Sequence, residues 1–122
     1  MYPRFVTKRI HAFLDYPVAI ALIVLPFVLG LGATTPLALW LPVVTGGAAF
    51  MLTVLTDHHL GVLPVLSYKF HLAVDFIVGV AFVILPFVLG FAGLDLLFYV
   101  VNGAAVLLVV SMHKPEESGL AA

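Results

Sequence analysis

The chain contains no cysteine, and only 9% of its 122 residues are charged, five Lys or Arg against six Asp or Glu. Without cysteine there can be no disulfide, thiolate zinc site, iron-sulfur cluster or cysteine nucleophile. Five cations cannot build a basic stripe along a phosphate backbone, which excludes nucleic acid as a partner. The same scarcity of charge excludes a disordered chain or a coiled coil, because soluble domains carry about 25% charged residues. Ser67 and Ser111 lie in no nucleophile-elbow motif. Nor is there a Gly-rich phosphate loop or a hydrolase-like carboxylate pair, so the chain reads as a non-enzyme more readily than as an enzyme.

What fills the chain instead is hydrophobic, 64% of it, and the expected solvent is the lipid bilayer. A helix crossing about 30 Å of hydrocarbon needs roughly 20 apolar residues. Four predominantly apolar stretches of that kind appear: about Tyr16 to Leu31, Pro36 to Thr56, Leu72 to Phe91 and Leu94 to Met112. A turn carrying His11 and Asp15 extends the first at its start, and Thr35 followed by Pro36 is a cap and first-turn proline for the second. The connections between them are short, so neighbours in sequence run antiparallel. The fold class expected is all-α, a four-transmembrane-helix bundle, with a polar tail at 114–122 that is expected to lack order.

Arg4, Lys8 and Arg9 precede the first span, Lys69 lies between the second and third, and Lys114 follows the fourth; the other two loops have no cation. Positive residues flanking short loops stay in the cytoplasm. Both termini are therefore expected there, in a protein integral to the cell (inner) membrane. Reading Arg4, Lys8 and Arg9 plus the first span as a cleaved signal is disfavoured, because a second copy of that span lies deep in the chain.

The copy is plain. His11 to Gly30 reads HAFLDYPVAIALIVLPFVLG and His71 to Gly90 reads HLAVDFIVGVAFVILPFVLG, ten identities in twenty positions at an offset of 60. The second helices align through GGAAF at 46–50 and NGAAV at 102–106, an offset of 56, which makes the first hairpin's loop region four residues longer. Each repeat, about 8–60 and about 67–113, is thus one helical hairpin. Two tandem hairpins with an even number of spans insert with the same orientation, so a pseudo-two-fold axis along the membrane normal is expected, which argues against an inverted-repeat transporter.

A two-span hairpin whose first helix ends in Leu25, Pro26, Phe27, Val28, Leu29, Gly30, copied as Leu85, Pro86, Phe87, Val88, Leu89, Gly90, resembles the SPW repeat of small bacterial integral membrane proteins. The name-giving Ser-Pro-Trp reads Leu-Pro-Phe in both copies here. The resemblance implies the two-hairpin architecture and supplies no active site.

Polar residues collect at one end of the expected bundle. His11 and Asp15 are four residues apart, as are His71 and Asp75, which puts each pair on one helix face a turn apart. By topology Asp57, His58, His59 and His113 return to the same side. All five histidines and three of four aspartates thereby occupy one layer, while the far end holds only Asp95, Thr34, Thr35 and Trp40. Ionisable groups within a span cost about 2.5 to 3.5 kcal/mol at a helix centre and usually pair or face the bundle interior.

Three readings of this layer compete. In the first, His11, Asp15, His58, His59, His71 and Asp75 hold a transition metal (zinc, iron or copper) or a haem, with Asp57 and His113 steadying the ligands. In the second, the layer ties helix ends together in a non-catalytic scaffold or assembly subunit, a homo-oligomer or the partner of another membrane protein. In the third it serves a proton or ion pathway, but the runs Val18–Leu29 and Val78–Leu89 contain no ionisable residue, so a relay would end halfway.

Pro26 and Pro86 fall near their helix ends, where a missing N–H shapes or releases the last turn, or forms a hinge. Gly46, Gly47, Ala48, Ala49 and Gly103, Ala104, Ala105 mark close helix contact. Asn102 is expected to bond across to a neighbouring helix, at Thr45 or Thr53, or to a second copy.

Overall fold

A computed structural model of the chain describes residues 6–56, 61–63 and 65–113. Among these residues the regular structure is all helical: α1 (Lys8–Val28), α2 (Pro36–Leu55), α3 (Tyr68–Val88) and α4 (Gly93–Ser111). Each is long and apolar enough to cross a membrane. Large apolar side chains such as Phe13, Ile20, Phe76, Ile77, Leu97 and Leu108 point outward, as lipid-facing surfaces require. The polar tail at 114–122 lies outside the described residues.

α1 begins at Lys8, before the His11 turn that the sequence adds to the first span, and α3 begins at Tyr68, before Leu72. The reason is capping: the Thr7 hydroxyl accepts from the Ile10 amide and the Ser67 hydroxyl from the Phe70 amide, satisfying amides a helix start leaves open. The two His/Asp pairs therefore ride on continuous helix. Both helices also end before Leu31 and Phe91, and they end alike. Gly30 and Gly90 adopt positive φ, +67° and +73°, while the amides of Leu31 and Phe91 donate back to the carbonyls of Pro26 and Pro86 at 2.9 and 2.8 Å. That six-to-one closure is the Schellman motif, with glycine in the left-handed position and a buried apolar residue after it. Leu-Pro-Phe-Val-Leu-Gly is thus a helix terminator whose proline contributes a carbonyl.

The α1–α2 connection spans 29–35 and the α3–α4 connection spans 89–92, seven residues against four, a difference of three. The alignment of GGAAF with NGAAV predicts four, and packing explains the discrepancy. Gly46 of α2 sits against the Ala19 carbonyl of α1, so close that a Cβ would lie 2.8 Å from that oxygen; Gly103 of α4 sits at the same 2.8 Å against the Gly79 carbonyl of α3. Ala19 and Gly79 are 60 apart, whereas Gly46 and Gly103 are 57 apart. Gly47, paired with Gly103 by sequence, has nothing near its Cβ position. Close approach through small residues is how helices adhere in lipid, and these contacts join α1 to α2 and α3 to α4, the extensive helix interfaces.

Contacts between the hairpins sit at the two ends. At the proline end, Pro42 has no N–H to give the Ala38 carbonyl four residues back, and the buried Tyr99 hydroxyl of α4 donates to that carbonyl at 3.1 Å. Asp95 lies at this far end, as its position in the sequence indicates, and is 2% exposed. Its two carboxylate oxygens accept from the Gly32 and Thr34 amides, each at 2.9 Å, so it pins the longer loop of the other hairpin. Leu22, Leu31, Ala38, Phe82, Phe91, Phe98 and Tyr99 form one apolar cluster that closes this half. At the opposite end Val6 bridges to His113 and Leu66 to Thr56, so the segment before each hairpin pairs with the end of the other.

Asn102 bonds within its own helix, its side-chain amide donating to the Phe98 carbonyl at 2.8 Å. The expected cross-helix bond is absent among the described residues: Thr53 likewise turns to its own Ala49 carbonyl. One turn back, a helix always offers a carbonyl, and that nearer partner wins.

Candidate metal centre

α1 and α3 present the same face to each other because His11, Asp15, His71 and Asp75 recur at a four-residue spacing on both. The four side chains form one cross-connected group. His11 Nε2 lies 2.8 Å from Asp75 Oδ2 and 3.0 Å from Asp15 Oδ1. His71 Nε2 lies 3.3 Å from Asp15 Oδ2 and 3.3 Å from Asp75 Oδ2. Each histidine therefore meets both its own aspartate and that of the facing helix, which joins the two pairs into one group. Both imidazoles are 2% exposed and stand perpendicular, ring centroids 5.4 Å apart.

The orientation of His71 follows from a residue that the sequence does not single out. Buried Thr56, at the end of α2, gives its hydroxyl proton to the Leu52 carbonyl, which can only accept. Its oxygen lies 2.7 Å from His71 Nδ1, so that nitrogen must be the donor and carry the proton. Nε2 then faces two carboxylates. Acceptors cannot face one another at such distances without a proton or a cation between them.

Tyr68 is the second residue beyond the sequence expectation, although its place three residues before His71 puts it on the same helical face. Its buried ring stands edge-on to His11, centroids 5.7 Å apart, and its hydroxyl lies 3.4 Å from His113 Nδ1. His113 thus adjoins the group through Tyr68 and contributes no atom to the ligand set. His58, His59 and Asp57 lie outside the described residues.

The donor set fits a divalent metal. One ligand atom from each of His11, Asp15, His71 and Asp75 lies within 4.8 Å of the others, and imidazole with carboxylate suits zinc, iron or copper. Two carboxylates neutralise a dication, which removes the net charge that makes burial in hydrocarbon costly. The Thr56 hydroxyl on His71 Nδ1 is the kind of outer support that ligating histidines carry. His11 Nδ1 is buried with no hydrogen-bond partner among the described residues. A haem fits less well, because Asp75 Oδ2 bridges the space between the two Nε2 atoms, where a porphyrin would have to lie.

Beyond the group, a cavity of about 520 Å³ extends between the hairpins as far as Leu22, Thr45, Val78 and Asn102. The apolar cluster around Phe82 and Tyr99 stands past it, so no line of ionisable side chains among the described residues continues across. The chain matches no protein-family model, no curated protein and no solved structure.

Proposed function

We propose that the protein is a small integral membrane protein that binds one divalent transition-metal ion through His11, Asp15, His71 and Asp75. The observation that carries this reading is the His71 ring: Thr56 fixes Nδ1 as a donor, so Nε2 is the nitrogen that faces the carboxylate oxygens, at a position that a proton or a metal cation must fill. A bound ion would supply Lewis acidity at this end of the bundle.

The wider setting belongs to the same proposal. The cations Arg4, Lys8, Arg9, Lys69 and Lys114 all fall at the histidine end in sequence, which supports cytoplasmic termini in a bacterial inner membrane. Pseudo-two-fold symmetry along the membrane normal is supported by the paired glycine contacts and by the bridges Val6 to His113 and Thr56 to Leu66. Kinship with the SPW repeat family is supported by the identical terminators at Gly30 and Gly90.

The test is elemental analysis of the protein purified in mild detergent without a polyhistidine tag, together with an absorption spectrum. One zinc, iron or copper per chain, lost in the double substitution His11→Gln with His71→Gln, is the expected result. Metal-free protein that also refuses added zinc, iron and copper would overturn the reading and leave a scaffold whose polar layer only ties helix ends. A Soret band would replace the bare ion with haem.

A further inference from the structure

The cavity beside the four ligand residues is large for a bundle interior, where close packing leaves few voids wider than a water molecule. His11, Asp15, His71 and Asp75 all form part of its wall. From the level of His11 to that of Leu22 it follows eleven residues of α1, about 16 Å of helix. Most of the remaining wall is valine, leucine and alanine. Leu14, Val18, Val44 and Ala48 belong both to that wall and to the exposed surface, so the cavity opens sideways toward hydrocarbon. A void whose purpose was packing would have no reason to expose metal-type ligands at one end and open to lipid at its flank.

We infer that this cavity is a binding chamber for a membrane-soluble amphiphile, a single apolar chain or small ring system whose oxygen-bearing head group reaches the ligand face. This rests on the metal reading, since the head group is taken to donate an oxygen to the bound ion. Its chemical class follows from the walls. Apolar side chains select a hydrocarbon body. Two carboxylates already balance a dication, so the additional donor is a neutral or anionic oxygen, such as a hydroxyl, carbonyl or acid, and a cationic amine would be repelled. A volume of about 520 Å³ suits a single apolar chain or a small ring system. At the far end Thr45 and Asn102 border the cavity, and Asn102 spends its amide on the Phe98 carbonyl, which leaves its side-chain carbonyl as a hydrogen-bond acceptor there.

Cobalt-substituted protein tests this, because the visible bands of cobalt report any change in its ligands. Octanohydroxamate carries a chelating oxygen head on an apolar chain, and acetohydroxamate carries the head alone. Octanohydroxamate is expected to perturb the cobalt bands at a concentration at least about tenfold below acetohydroxamate, the gain coming from burial of the chain. That advantage should vanish in Ala49→Phe and in Ala105→Phe, two independent variants that fill the chamber while leaving the four ligands in place. Retained cobalt bands report that each variant is folded, and the comparison of the two hydroxamates on the unaltered protein decides the matter even if both variants lose them. Equal potency of the two hydroxamates, or an advantage that survives in the filled variants, overturns the chamber while the metal site stands. Failure of cobalt to bind at all overturns the metal reading, and the chamber as argued falls with it.

Discussion

Thr56 and His71, fifteen residues apart and on different hairpins, share a hydrogen bond of 2.7 Å in which the imidazole Nδ1 is the donor. The threonine can only accept there, because its proton goes to Leu52. Thr56→Val keeps the shape and removes the acceptor. Loss of an outer partner of a ligating histidine typically costs 10 to 100-fold in metal affinity, so zinc affinity, measured by competition with a chelator, is expected to fall by about that factor. Thr56→Ser should restore it. Unchanged affinity in the valine variant would mean that the ring is held by its helix alone.

Tyr99 and Pro42 make a different bargain at the other end of the bundle. The proline cannot serve the Ala38 carbonyl, and the tyrosine hydroxyl does so from α4 at 3.1 Å. Tyr99→Phe leaves that carbonyl unpaired in a setting without water, at a cost of about 1 to 3 kcal/mol. In a Pro42→Ala background the helix regains its own N–H for Ala38, and the same Tyr99→Phe change should cost clearly less. A double-mutant cycle on thermal unfolding in detergent measures the coupling, and simple additivity would sink the idea that one residue compensates for the other.

Much of this was legible in the sequence, for identifiable reasons. Helix number follows from apolar run length, and the grouping of His11, Asp15, His71 and Asp75 follows from a four-residue spacing repeated at an offset of 60. The helices start about a turn earlier than hydropathy indicates, because hydropathy does not register Thr7 and Ser67 as caps. Thr56 went unnoticed because its role depends on a proton count at a contact between hairpins. The place of Asp95 at the far end is legible, but its burial is not, because a lone carboxylate in sequence gives no sign of the two loop amides it will accept. Asn102 takes its partner from its own helix, which no sequence pattern distinguishes from a partner across the bundle or in a second copy.

Asp95 yields a prediction that separates stability from metal binding. Its two oxygens each take a backbone amide from the loop of the other hairpin, and Asp95→Asn has only one oxygen to offer. One buried N–H is then opposed by an amide donor, which should destabilise by about 1 to 3 kcal/mol. Asp95→Ala abandons both amides and should lower the melting temperature further. Because the residue lies at the proline end, zinc stoichiometry should be unchanged in both variants. A parallel loss of metal would mean that the two ends of the bundle are energetically coupled.

Neighbouring glycines give the sharpest test of the helix register. A Cβ on Gly46 would lie 2.8 Å from the Ala19 carbonyl and one on Gly103 would lie 2.8 Å from the Gly79 carbonyl, whereas Gly47 has open space around its own. The obstacles are backbone oxygens, which cannot rotate aside, so Gly46→Ala and Gly103→Ala must push two helices apart at about 1 to 3 kcal/mol each. Gly47→Ala meets nothing and gains helix propensity, so it should be neutral or stabilising by up to about 1 kcal/mol. Thermal unfolding of the three variants in one detergent decides between the registers. If Gly47→Ala rather than Gly46→Ala proves damaging, α2 is rotated by one residue, and the pairing suggested by GGAAF and NGAAV is the true one.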